Sequence, residues 1–351
     1  MRFRAPLLCS LLAVLPTLGL SLFVGRALAA PPNEAKAPAG MELQAVAAAD
    51  EAAAAEAGVA AADAKPGQPD ADDDTRFLRL TRENGALKAL EVAIVHCVPK
   101  NGGQKAPTVD LVAAVHVAEP DYYAELNKRF AKYETVLYEL VAPEGTRVVP
   151  GRGKGGSPVS MMQRGMTDML ELEFQLEGID YQRENMVHAD MSPEQMAKSM
   201  KRRGESLLQM FMRVLGYSLA KQGTSGGQDA KMLAAMFAQN RALALRRAMA
   251  EQFEDMDGMI QAIDGTEGST LIGERNKKAL EVLRKQMAGG GKQFAIFYGA
   301  AHMDDMLERL QNDFNLVPKK TEWLVAWKLS EDAPGDERET PEKAVPQRAG
   351  R

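Results

Sequence analysis

Leu111-Val112-Ala113-Ala114-Val115-His116 and Phe297-Tyr298-Gly299-Ala300-Ala301-His302 are two versions of one pattern. Each is an apolar run that passes through small residues, ends on a histidine and leads into helical signals. The first run is apolar enough for burial on both faces, as in a parallel strand. Pro120 then stands in the first turn of a helix carrying Tyr122, Leu126 and Phe130, with Glu119 and Asp121 at its positive end. Residues 135–141 read as the next short buried strand. Strand, crossover helix and strand make a parallel βαβ unit. The second version repeats the alternation, with a strand at 294–298, a helix at 303–314 and a strand at 322–329. The expected fold class is therefore α/β, a three-layer mixed sheet with flanking helices.

Outward from these runs, residues 77–81 and 86–98 form a hairpin around the Asn84-Gly85 turn. Gly102-Gly103 makes a second turn into the first histidine strand. A loop holding Gly, Arg and Lys is expected at 145–158, followed by helical spacing over 161–176 and an extended stretch over 179–188. Ser192 caps a further helix with Pro193 and Glu194 in its first turn. From there to Ile263 the pattern is helical apart from a break at 223–227, and a helix at 274–287 precedes the Gly289-Gly290-Gly291 break. One domain is expected over about 76–330, with a helical insertion at about 158–265. Fifteen of the 20 methionines fall between Met161 and Met259. Methionine fills irregular cores, so most belong to a helical core, with a minority lining a cleft for an extended peptide or lipid-like ligand.

The amino terminus carries the marks of export. Arg2 and Arg4 precede an apolar run over 7–24, and Ala27-Leu28-Ala29 is a small-x-small cleavage site before Pro31-Pro32. The run is nearly long enough for an uncleaved anchor. Pro16 and Gly19 interrupt it, which favours a signal peptide at 1–29 and a periplasmic or secreted protein. The Ala-rich stretch at 30–75 and the charged tail at 331–351 cannot bury enough apolar surface to offset chain entropy, so both are expected to be disordered. Cys9 leaves with the signal peptide. Cys97 is then the only cysteine, and stability must come from the core. A net charge of -5 argues against a nucleic-acid partner. No second apolar run approaches membrane-spanning length, so no transmembrane segment is expected after cleavage.

The carboxyl ends of strands in open α/β sheets are where catalytic groups gather. His116 and His302 would meet there if their strands are parallel neighbours. Glu139, in Leu137-Tyr138-Glu139-Leu140, ends the parallel strand expected between them. A carboxylate in a buried run is costly without a partner. Two histidines and a carboxylate suit a divalent metal ion with an open position for water. The same three also suit a metal-free group in which Glu139 or a histidine activates water. Arg275, in Gly273-Glu274-Arg275-Asn276 at a helix start, opposes the helix dipole and calls for an anionic partner. That partner is a reaction oxyanion or substrate carboxylate, or structurally Glu139 or Asp264. His96 shares a strand face with Val92, Ile94 and Val98 and reads as a satisfied core histidine. His188, two residues before Asp190, is a candidate for the site rim.

These segments together resemble the TraB/PrgY/GumN family, within the wider superfamily of Tiki proteases and erythromycin-esterase-like proteins. The resemblance covers about residues 108–312 and rests on the first histidine segment, the Tyr138-Glu139-Leu140 strand, Glu274-Arg275-Asn276 and Gly299–His302, in the family's order. It implies a site built from two Gly-x-x-His motifs, a strand glutamate and an arginine, matched here by His116, His302, Glu139 and Arg275. The first motif departs from the pattern, with Ala113 in place of the glycine. Some members of that family are metal-dependent peptidases, and others have no known activity. The expected function is a metal-assisted, peptidase-like hydrolase acting on a peptide or protein. The alternative is a catalytically silent binding or signalling protein that uses its Met-rich helices.

Overall fold

Asn84 and Gly85 take φ values of 50° and 80°, the left-handed backbone that a two-residue hairpin turn demands. They join strand β1 (Leu78–Glu83) to the antiparallel strand β2 (Ala86–Pro99). The computed structural model describes residues 77–331, apart from 102–105, 147, 149–164, 166, 223–227, 256–257, 259, 261–262 and 265–267. The expected signal peptide, the linker at 30–75, most of the loop at 145–158 and the tail beyond Glu331 lie outside the described residues.

Strand β2 is long enough to serve several partners. Its first half pairs with β1, residues Ile94–Cys97 pair with β3 (Thr108–Ala114), and the opposite edge pairs with β9 (Leu316–Lys328). Beyond β3 the sheet turns parallel. Strand β8 (Gln293–Gly299) lies on β3, β5 (Thr135–Tyr138) on β8, and β7 (Met186–His188) on β5. These seven strands form one mixed sheet. Strands β4 (Val117–Ala118) and β6 (Glu173–Phe174) make a small separate antiparallel pair. Of the parallel strands, β3, β5 and β8 are mostly buried, which is what their unbroken apolar runs require, while β7 is only partly so.

Helix α1 (Pro120–Phe130) carries the chain from β3 to β5 and buries Tyr122, Tyr123, Leu126 and Phe130. Helix α2 (Gln175–Gly178) follows β6 directly. The helical spacing read over 161–176 therefore stops early. Glu171 adopts φ 53°, and the chain turns into the β6 strand. The insertion is also narrower than expected. Strand β7 belongs to the main sheet, so the helical part begins only after Asp190. It comprises α3 (Pro193–Arg203), α4 (Leu207–Gln222), α5 (Gln228–Met236) and α6 (Arg241–Ala250). Ser192 caps α3 through a reciprocal exchange with Gln195, and Gly204 ends it in the left-handed conformation.

The chain then re-enters the sheet through helix α7 (Arg275–Ala288), β8, helix α8 (Met303–Phe314) and β9. Strand β9 starts at Leu316, earlier than expected, because its polar first half is an edge paired only with β2. Methionines are found both in the core and on the surface. Met196 and Met210 are buried in a small cluster with Val141, Ile263, Leu271 and Ile272, whereas Met212 and Met236 are exposed. Cys97 is buried and free, with burial and then Asp110 raising its thiol to about 12. No described helix is long and apolar enough to cross a membrane.

Candidate active site

Four parallel strands end side by side. Chain order is not spatial order there, since β8 lies between β3 and β5. The β3–α1–β5 crossover skips one position, and β8 fills it. The strand bearing His302, not that of Glu139, is therefore the central one. Residues just past the strand ends follow in the order His116, His302, Glu139 and Asp190.

The first three surround one point. A Cβ built on Gly299 would stand 3.4 Å from Glu139 Oε2, 3.8 Å from His302 Cδ2 and 3.9 Å from His116 Nε2. Gly299 leaves that space open, and any larger side chain would occupy it. His302, Glu139, Asp190 and Arg275 are buried, while His116 is partly exposed.

Arg275 binds the carboxylates rather than awaiting a ligand. Its Nη2 donates to Glu139 Oε1 at 2.6 Å, and its Nε and Nη2 donate to Asp190 at 2.9 and 2.6 Å. The Gly299 N–H donates to Glu139 Oε2 at 2.7 Å. Burial alone would raise the Glu139 pKa. Arg275, the two imidazoles and the Gly299 N–H overcome that and hold the carboxyl well below its usual range. Two carboxylates and one guanidinium leave this buried group with a net single negative charge. A short π-helical turn (Thr270–Glu274), capped by the Ser269 hydroxyl, runs straight into α7. Arg275 thus lies one turn inside a continuous helical path. Its burial, more than the helix dipole, is what requires the anions. Asp264 interacts with Ser269 instead.

Both histidines are oriented by carboxamides. Asn276 Nδ2 donates to the His302 carbonyl at 3.0 Å and to Asp305 at 2.7 Å. Its Oδ1 must then accept, 2.7 Å from His302 Nδ1. His302 therefore carries its hydrogen on Nδ1 and presents a lone pair at Nε2, 3.7 Å from Glu139 Oε1. Gln175 repeats the device: its Nε2 donates to Tyr181 at 2.8 Å, and its Oε1 lies 3.0 Å from His116 Nδ1. Burial, reinforced by Arg275 against the pull of Glu139, brings His302 down to about 4, so its imidazole is neutral at pH 7. Sequence reading did not single out Gln175, Asn276 or Asp190 for these contacts. The available signals were Asn276's place beside Arg275 and Asp190's place at a strand end.

Two histidines stand elsewhere. His96 is partly exposed rather than in the core, and it pairs with Asp110, which also accepts from Tyr133 at 2.6 Å. His188 donates from Nε2 to the Leu140 carbonyl at 2.6 Å and lies against Tyr138. It braces the strand that presents Glu139. A cleft of about 470 Å³, lined in part by Leu87, Lys88, Leu243 and Arg247, shares no residue with this site.

The donor chemistry fits a divalent ion. Two Nε2 lone pairs have tautomers fixed from behind, as ligating histidines do, beside an ionised carboxylate. Among the described residues, however, no three His, Cys, Asp or Glu side chains stand close enough to form a ready-made metal cage. No family model, curated protein or solved structure matches this chain.

Proposed function

We propose that this is an exported hydrolase, peptidase-like in substrate, with its active site at the ends of β3, β8 and β5. The observation that carries the proposal is the meeting of His116 Nε2, His302 and Glu139 around the open side of Gly299. The neutral His302, with its Nε2 lone pair turned towards Glu139, can take the proton of an attacking water. As His302 accepts a proton, Glu139 at 3.7 Å stabilises the imidazolium that forms. That proton is then available to the leaving amine. His116, the partly exposed imidazole, orients the water and the scissile carbonyl. Arg275, itself held by Asp190, keeps Glu139 ionised and in place. When bound, a divalent ion would supply a water ionising near neutrality, with His116, Glu139 and His302 as the residues to hold it.

The test is hydrolysis of a mixed peptide and ester panel by protein purified without a His-tag, paired with elemental analysis for metals. Turnover that His302→Gln abolishes supports the reading, and the metal content separates an ion-held water from an imidazole-held one. A folded protein with intact site residues, no turnover and no metal would leave the silent binding protein as the function.

A further inference from the structure

The charge of this chain is unevenly distributed. Between residues 198 and 247 there are ten Lys or Arg and two acidic residues within a chain of net -5. Arg202, Arg203, Lys231 and Arg246 pair with Glu274, Glu205, Glu251 and Glu119, while Lys198, Lys201, Arg213 and Arg241 stand exposed. The same segment holds the exposed large apolar side chains of the described structure. Leu207, Leu208, Phe211 and Met212 follow helical spacing along one face of α4. Leu233, Met236 and Phe237 do the same at α5, and Phe237 is 82% exposed. Helix α4 is anchored from its other side, where Met210 is buried with Val141, Met196 and Leu271. Lys198 and Lys201 stand exposed on the preceding helix.

We propose that α4 and α5 seat this protein on an anionic lipid bilayer. A basic amphipathic segment lies in the headgroup region with its apolar face in the acyl boundary and its cations among the phosphates. Both halves of that chemistry are present. The cations alone would suit a polynucleotide, but a polynucleotide offers no apolar phase for Phe211, Met212 and Phe237. A second copy would bring the exposed Lys198, Lys201, Arg213 and Arg241 against their own equivalents, which like-charge repulsion opposes. The proposal is independent of the catalytic reading. It touches the site at one place, since the cluster that anchors α4 includes Val141 and Leu271, close in sequence to Glu139 and Arg275.

The experiment is co-sedimentation of the exported protein, its N-terminus verified, with phosphatidylcholine vesicles with and without phosphatidylglycerol. Binding should be at least about tenfold tighter to the anionic vesicles, and it should weaken as salt rises from about 0.1 to about 0.5 M. Phe211→Ser with Met212→Ser, and separately Lys198→Glu with Lys201→Glu, should each lower that affinity at least about tenfold. Melting temperature should be unchanged, because these side chains are exposed. If a variant fails to fold, the salt series and lipid comparison on the wild type decide alone. Equal binding to neutral vesicles, or folded variants that bind like the wild type, overturns the proposal. So does a dimer, seen by sedimentation equilibrium, that Phe211→Ser with Met212→Ser dissociates while anionic vesicles fail to bind.

Discussion

Glu139→Gln tests how the buried cluster shares its charge. The substitution keeps shape and removes one negative charge, taking the group from net -1 to neutral. Arg275 keeps its Nε and Nη2 bonds to Asp190 at 2.9 and 2.6 Å. No cation is stranded, so the roughly 3–5 kcal/mol of a broken buried pair is not the expected cost. What is lost is an acceptor. Glu139 uses one oxygen for Arg275 and the other for the Gly299 N–H, and an amide has a single oxygen to offer. One charge-assisted hydrogen bond is worth about 1.5–3 kcal/mol, partly offset by easier burial of a neutral group. A net loss of about 2 kcal/mol corresponds to a fall in melting temperature of about 4–8 °C for a domain of this size. Arg275→Met instead leaves two buried carboxylates without their cation and should cost at least about 3–5 kcal/mol. Calorimetric melts at pH 7 with chelator present compare the two, and hydrolysis should disappear in Glu139→Gln. A Glu139→Gln protein as unstable as Arg275→Met would show that Asp190 does not hold the arginine. One that melts well above wild type would show that the Glu139–Arg275 bond contributes nothing.

Stability should also report the neutral, buried His302. Its folded-state pKa of about 4 lies below the ordinary histidine value, so the unfolded chain binds more protons between these limits. Stability should fall as pH drops from about 6.5 towards 4, and His302→Gln should flatten that slope in pH-dependent denaturant melts. The depressed Glu139 adds a further loss below about pH 4.5, as pH approaches its folded pKa. Asn276→Ala removes the acceptor that fixes the His302 tautomer and should lower kcat about 10–100-fold while leaving KM nearly unchanged. Loss confined to KM would assign Asn276 to substrate binding. Mass spectrometry of the exported protein should find its first residue at Ala30 or Pro31, and recovery of Met1 in membranes would show an anchor instead.

Much of the architecture was legible from local chemistry. The Asn84-Gly85 turn, the Pro120 helix start, the Ser192 cap and the unbroken apolar runs each carry their structural instruction within a few residues, and each element formed where those signals stood. What lacked a local signal was placement. The extended stretch ending at His188 gives no sign that its last residues, β7, join the main sheet, and the polar half of β9 is a strand only because β2 offers it an edge. The same division runs through the site. His116, His302 and Glu139 could be nominated because a polar group closing a buried strand is conspicuous in a linear sequence. Their convergence depends on β8 taking the central position, a non-local pairing of β3 with a strand far along the chain. The choice of Asp190 as the second partner of Arg275, and of Gln175 and Asn276 as the groups that set each imidazole tautomer, follows from that packing alone. Side-chain amides and carboxylates have no periodic signature, and the hydrogen bonds that define their roles exist only once four strand ends have been brought together.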